Sequence, residues 1–69
     1  MIEIFKTDIR KVAQMKKMVA LLLQHFPDNK INIDLHDCDK VLRIEGGNFL
    51  PAAIATLVKE NGFMCIRLE

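Results

Sequence analysis

Four short stretches of the chain have the alternating or β-rich composition that is typical of strands. They are residues 1–7, 30–35, 41–45 and 63–69. The two middle stretches alternate cleanly and are joined by a short polar segment, which predicts an antiparallel hairpin. The side chains of this hairpin that we expect to face the core are Ile31, Ile33, Leu35, Leu42 and Ile44.

Between the first two strands, apolar residues recur at steps of three and four, which predicts an amphipathic helix from Ile9 to Phe26. Either Thr7 or Asp8 can cap its start, and Pro27 ends it. Leu21 lies on the side opposite the apolar stripe. The predicted stripe consists of Val12, Met15, Val19, Leu22 and Phe26.

A second helix is predicted over residues 48–61. Pro51 is tolerated in its first turn, and Gly62 is placed as the left-handed residue that follows its end. Its predicted buried side chains are Leu50, Ile54, Leu57 and Val58.

The order of these elements is β-α-β-β-α-β within a single domain covering residues 1–69. This order predicts an α+β fold of the ferredoxin-like type, with a four-stranded antiparallel sheet and two helices on one face. The other face of the sheet is then left open to water.

The closing strand can be buried in two ways. Hydrophobicity favours Met64, Ile66 and Leu68 facing inward, whereas the opposite parity buries Phe63 and Cys65. Either parity leaves apolar side chains on the open face. Together with a side chain of the first strand, Ile4 or Phe5, they can form an apolar patch that favours self-association or a partner, unless lysine and arginine stems cover it.

Composition narrows the classes of function. A net charge of +1 on 69 residues gives no general attraction to nucleic acid or to a membrane surface, and the open face lacks an exposed aromatic pair for base stacking. No signal peptide or membrane-spanning run is apparent, so we expect a cytoplasmic protein whose Cys38 and Cys65 stay reduced. The chain contains no catalytic constellation and no phosphate-binding loop, so we expect neither enzymatic activity nor a cofactor.

Two local clusters carry candidate chemistry. The segment His36-Asp37-Cys38-Asp39 contains metal-ligating groups, but four convergent ligands are hard to assemble at a hairpin tip, and aspartates are ordinary turn residues. We interpret it as a turn. Near the N-terminus lies a basic group that either is a solvated face or contacts an anionic ligand or an acidic partner at the start of the first helix. It consists of Lys6, Arg10, Lys11, Lys16 and Lys17.

From residue 31 onward the chain resembles the heavy-metal-associated (HMA) domains of copper chaperones and metal-transporting ATPases. INIDL followed by KVLRIEGG is similar to their middle hairpin, and LPAAIATLVKENGF is similar to their second helix with its closing Gly62-Phe63 pair. The resemblance implies that a soft metal would be held by a Met-x-Cys-x-x-Cys motif after the first strand. Here that place is taken by KTDIRKVAQ, residues 6–14, which contains no sulfur ligand.

The sequence therefore favours an HMA-like, non-catalytic interaction module that has no metal site and binds an unidentified protein or itself. The basic residues Lys6, Arg10 and Lys11 are candidate partner contacts. The alternative is a metal-binding or metal-chaperone domain that uses Cys38 and His36 in place of the missing cysteines.

Overall fold

The computed structural model describes residues 1–68, which fold into four strands and two helices in the predicted order. The strands are β1 (Ile2–Thr7), β2 (Lys30–Ile33), β3 (Leu42–Glu45) and β4 (Cys65–Leu68), and the helices are α1 (Val12–His25) and α2 (Pro51–Glu60). Within residues 1–68, neither helix is long and apolar enough to cross a membrane.

The strands form one sheet in the order β2-β3-β1-β4, and every neighbouring pair is antiparallel. This arrangement confirms the predicted α+β class, and its order is consistent with the ferredoxin-like fold. The predicted hairpin is confirmed as the β2–β3 pair, although β2 ends at Ile33 rather than at residue 35.

The core lies between the inner face of the sheet and the two helices. Each helix contributes two fully buried side chains, Met18 and Leu22 from α1 and Ile54 and Val58 from α2. The other members of the core are Phe5, Ile9, Ile33, Leu42, Ile44, Phe49 and Cys65.

Helix α1 begins later and is rotated relative to the prediction. Its core face is centred on Met18 and Leu22. At 3.6 residues per turn, Val12 lies about 120° around the helix from Met18, and it is 55% exposed. Leu21 is only about 60° away on the other side by the same geometry and packs against the core. The predicted burial of Val12 and the predicted exposure of Leu21 were both wrong.

Neither Thr7 nor Asp8 caps the start of α1, so the predicted cap was wrong. The N-cap residue is Lys11, and the side chain of Gln14 reaches back so that its Oε1 accepts the N–H groups of Arg10 and Lys11 at 3.3 and 3.2 Å. Residues 8–10 are needed to carry the chain from the end of β1 to the helix, which leaves Asp8 too far upstream to act as a cap.

Helix α2 begins at Pro51, so Leu50 is its N-cap residue and is 72% exposed, whereas Phe49 is buried in its place. The C-terminal end follows the prediction. Gly62 has a φ of +89°, its N–H donates to the Lys59 carbonyl at 3.0 Å, and the Phe63 N–H donates to the Val58 carbonyl at 3.4 Å. This pattern is a Schellman motif, which a residue in the left-handed conformation makes possible.

Candidate interaction surface

The open face of the sheet is divided into a polar half and an apolar half. Strand alternation assigns the outward positions, and the register of the strands aligns them in rows across the sheet. One row consists of Asn32, Arg43, Ile4 and Leu68, in the strand order β2-β3-β1-β4. The polarity of the face therefore falls from the β2 edge to the β4 edge.

The apolar half consists of four side chains from β1 and β4, which we call the aliphatic patch. Its members are Ile2, Ile4, Ile66 and Leu68, with exposed fractions of 48, 36, 51 and 37%. With the neighbouring Lys6 and Arg43 stems in place, about a third to a half of each of these four residues remains exposed. The exposed apolar patch predicted from the sequence is therefore present, with Ile4 rather than Phe5 as its β1 member.

The burial of Cys65 decides which side of β4 contributes to this patch. Thr7 pairs with Cys65 and Phe5 pairs with Arg67, so the inward positions of β1 fix the inward positions of β4. Phe5 and Thr7 are buried, and Cys65 follows them with 2% exposure. Of the two parities left open by the sequence, the one that buries Phe63 and Cys65 is correct.

Burial also changes the chemistry of the Cys65 thiol. Removal from water disfavours the thiolate and raises the pKa of Cys65 from 9.0 to about 11, although the nearby positive charge of Lys59 opposes this effect. The thiol is therefore a packing group of the core rather than a nucleophile or a metal ligand at neutral pH.

An ion pair between Glu3 of β1 and Arg67 of β4 lies at the end of the β1–β4 ladder that includes the start of β1. Arg67 donates from Nε and Nη2 to the two carboxylate oxygens of Glu3, at 2.8 and 2.7 Å. The Glu3 side chain is only 12% exposed, so this bidentate pair satisfies a carboxylate that would otherwise be costly to bury. This pair could not be predicted from the sequence, because the two residues are 64 positions apart.

The hairpin segment between β2 and β3 has the geometry of consecutive turns. Asp34 Oδ1 accepts the His36 N–H at 2.9 Å, and Asp37 Oδ1 accepts the Asp39 N–H at 2.8 Å. Such bonds from aspartate to a backbone amide two residues on are what make aspartate a turn former. The predicted turn is therefore present, and the absence of a metal site in this segment stays a prediction.

The same segment brings together three of the four groups that were considered as metal ligands. One ligand atom each of Asp37, Cys38 and Asp39 lies within 4.8 Å of the other two. Within residues 1–68 His36 does not join this group. Asp39 is also engaged by Lys6, whose Nζ lies 3.6 Å from its Oδ1 and competes with any cation.

The basic residues near the N-terminus are not gathered into one site. Lys6 lies on the open face and reaches Asp39 of the hairpin segment, whereas Arg10 and Lys11 are exposed just before α1. The backbone N–H groups of Arg10 and Lys11 are occupied by Gln14. The proposed role of these three residues in partner binding stays a prediction.

Thr7 and Asp8, at the end of β1 and just after it, make hydrogen bonds that connect distant parts of the fold. The Thr7 hydroxyl donates to the Lys40 carbonyl at 2.6 Å and accepts the Ile9 N–H at 3.3 Å. Asp8 Oδ1 accepts the Met64 N–H at 2.7 Å, which fixes the start of β4 beside the end of β1.

Comparison of the chain with protein-family models, with curated proteins and with solved structures gave no match.

Proposed function

We propose that this protein is a small, non-catalytic HMA-like interaction module that binds another protein chain through the aliphatic patch of its open sheet face. The observation that carries the proposal is the exposure of Ile2, Ile4, Ile66 and Leu68 on neighbouring strands at one face of the sheet. Covering apolar area is the main favourable term in protein association, so such a patch is a natural contact surface.

The loop geometry supports interaction rather than metal carriage. In residues 6–14, where the resemblance would place a pair of thiolates, Thr7 and Asp8 instead hold the hairpin segment and β4 in place. A metal site there would need both different residue types and release of these bonds.

The remaining parts of the proposal concern partners and compartment. Each of the exposed large apolar side chains within residues 1–68 is aliphatic or a methionine, which favours a protein surface over nucleobases as the binding partner. Cys38 and Cys65 are free thiols, which fits a reducing compartment such as the cytoplasm.

The alternative function is metal binding by Cys38 and His36. The proximity of Asp37, Cys38 and Asp39 supports a ligand role for Cys38, although among the described residues His36 is not part of this group. A zinc titration of the pure protein and of a Cys38→Ser variant tests it. Stoichiometric binding that is lost with Cys38 supports a site in this segment, and binding that ignores the substitution rules out this site.

Site-specific photo-crosslinking in cells tests the interaction function. A photoreactive residue at position 4 or 66 should give protein adducts, because Ile4 pairs with Leu68 within the patch and Ile66 is its most exposed member. The matched control is position 12, since Val12 is exposed to a similar degree, 55% against 51%, but lies on α1. If positions 4 and 66 yield no more adducts than position 12, the proposed function is wrong.

A further inference from the structure

We infer that the occupant of the aliphatic patch is a second copy of this chain, packed face to face across a twofold axis. The inference rests on the proposed function and names its partner. In a twofold contact the same patch is used by both subunits, so the surface must complement itself in shape, polarity and charge.

The shape and polarity of the patch meet this requirement. Its side chains are isoleucines and a leucine on neighbouring strands, without a projecting aromatic ring that would need a pocket in the partner. The side chains of two such aliphatic patches can interdigitate at the spacing of about 10 Å that is usual for stacked sheets.

The charges that border the patch also fit a second copy. The outward cations Lys6, Lys30 and Arg43 are interspersed with acids, since Lys30 pairs in register with Glu45 and Lys6 lies 3.6 Å from Asp39. A border of one sign would repel an identical chain and select a partner of opposite charge. A mixed border imposes no such repulsion.

The area of the face sets the strength of the contact. With about 200 Å² for a fully exposed large aliphatic residue, the exposed fractions give a patch of about 300–350 Å² per chain. Since roughly 60% of an interface is apolar, each chain would bury about 500–600 Å², close to the lower limit of about 1,000 Å² in total for a specific interface. We therefore expect a weak dimer that dissociates on dilution.

The free edge of β4 offers a different way to self-associate, by extension of the sheet. Edge pairing would leave the aliphatic patches of both copies in water. Face-to-face packing covers them, which is why we assign the contact to the face.

Sedimentation equilibrium from micromolar to millimolar concentration tests the inference. The wild type should approach twice its 7.9 kDa mass as concentration rises. Ile66→Lys and Ile4→Lys should each raise the dimer dissociation constant at least about tenfold, because each places a charge in the apolar contact. Val12→Lys, which removes a comparably exposed apolar side chain on α1, should leave the dissociation constant unchanged, and circular dichroism of each variant checks that it is folded.

The inference is overturned if the wild type stays monomeric throughout this range, or if it dimerises equally well with lysine at positions 4 and 66. The crosslinking experiment separates this failure from failure of the proposed function. Adducts of position 66 with a different protein, together with a monomeric wild type, retain the interaction function and exclude the dimer. Absence of any adduct specific to the patch defeats both.

Discussion

The sharpest test of the packing after β3 is a comparison of alanine substitutions at two adjacent glycines, Gly46 and Gly47. Gly46 has a φ of +146°, in the region that side chains other than glycine rarely adopt. A Cβ placed there would overlap Asn29 Oδ1 and would lie 3.0 Å from Asn29 Cγ and 3.3 Å from Asn29 Cα. Gly47 has nothing within 4 Å of a Cβ built in the same way.

The penalty for Gly46→Ala has two parts. The backbone conformation alone costs about 1–3 kcal/mol for a residue with a Cβ. The overlap adds to this, because Asn29 is only 8% exposed and its Nδ2 donates to the Phe26 carbonyl, so it cannot move without loss of packing. We expect a decrease of about 2–4 kcal/mol in the free energy of unfolding, out of a total of about 3–10 kcal/mol for a domain of this size.

Urea unfolding followed by far-ultraviolet circular dichroism measures this decrease. Gly47→Ala is the matched control and should stay within about 0.5 kcal/mol of the wild type. In an Asn29→Ala background the penalty of Gly46→Ala should fall towards its backbone part, because the overlapping side-chain atoms are gone. Equal midpoints for the two alanine variants, or a penalty that does not depend on Asn29, would refute this account of the turn.

Three further predictions concern Thr7 of β1 and Cys65 of β4, which are both buried. Thr7→Val keeps the shape of the side chain but leaves the Lys40 carbonyl and the Ile9 N–H without their partner, so the free energy of unfolding in urea should fall by about 1–3 kcal/mol. An unchanged midpoint would contradict the role of the hydroxyl. Cys38 is exposed and should react with a thiol reagent in the folded protein, whereas the buried Cys65 should react only after unfolding. Cys38→Ser should therefore abolish the reaction of the folded protein. Burial raises the pKa of Cys65 from 9.0 to about 11, so its contribution to the stability of the folded state is present below about pH 9 and is lost as the pH rises towards 11. Urea unfolding at several pH values should show this loss in the wild type and not in a Cys65→Ala variant.

The order of elements could be predicted because it depends on local periodicity. The alternation of residues 30–33 and 42–45 and the three-and-four spacing of α1 each reflect which side of one element is apolar. The C-terminal end of α2 was equally local, since Gly62 supplies the one left-handed residue that the turn needs.

Element ends and burial at those ends were predicted less well. Val12 and Leu50 have the residue type of core positions but are exposed, because α1 and α2 begin only where the connections from the sheet allow. The pattern of hydrophobic residues does not show how many residues a connection needs before the next helix can begin. The cap of α1 was missed for the same reason, since Gln14 acts back on residues 10 and 11 once the helix start is fixed.

The sequence by itself determined the fold class, the hairpin with its turn of aspartates and the absence of thiols from residues 6–14. Only the tertiary structure decided the parity of β4, and with it the existence of an aliphatic patch made of Ile2, Ile4, Ile66 and Leu68. Both parities of β4 offer apolar side chains to the core, so the strand alone does not distinguish them. Pairing with β1 does, because Phe5 and Thr7 are already buried and their cross-strand partners must lie on the same face of the sheet.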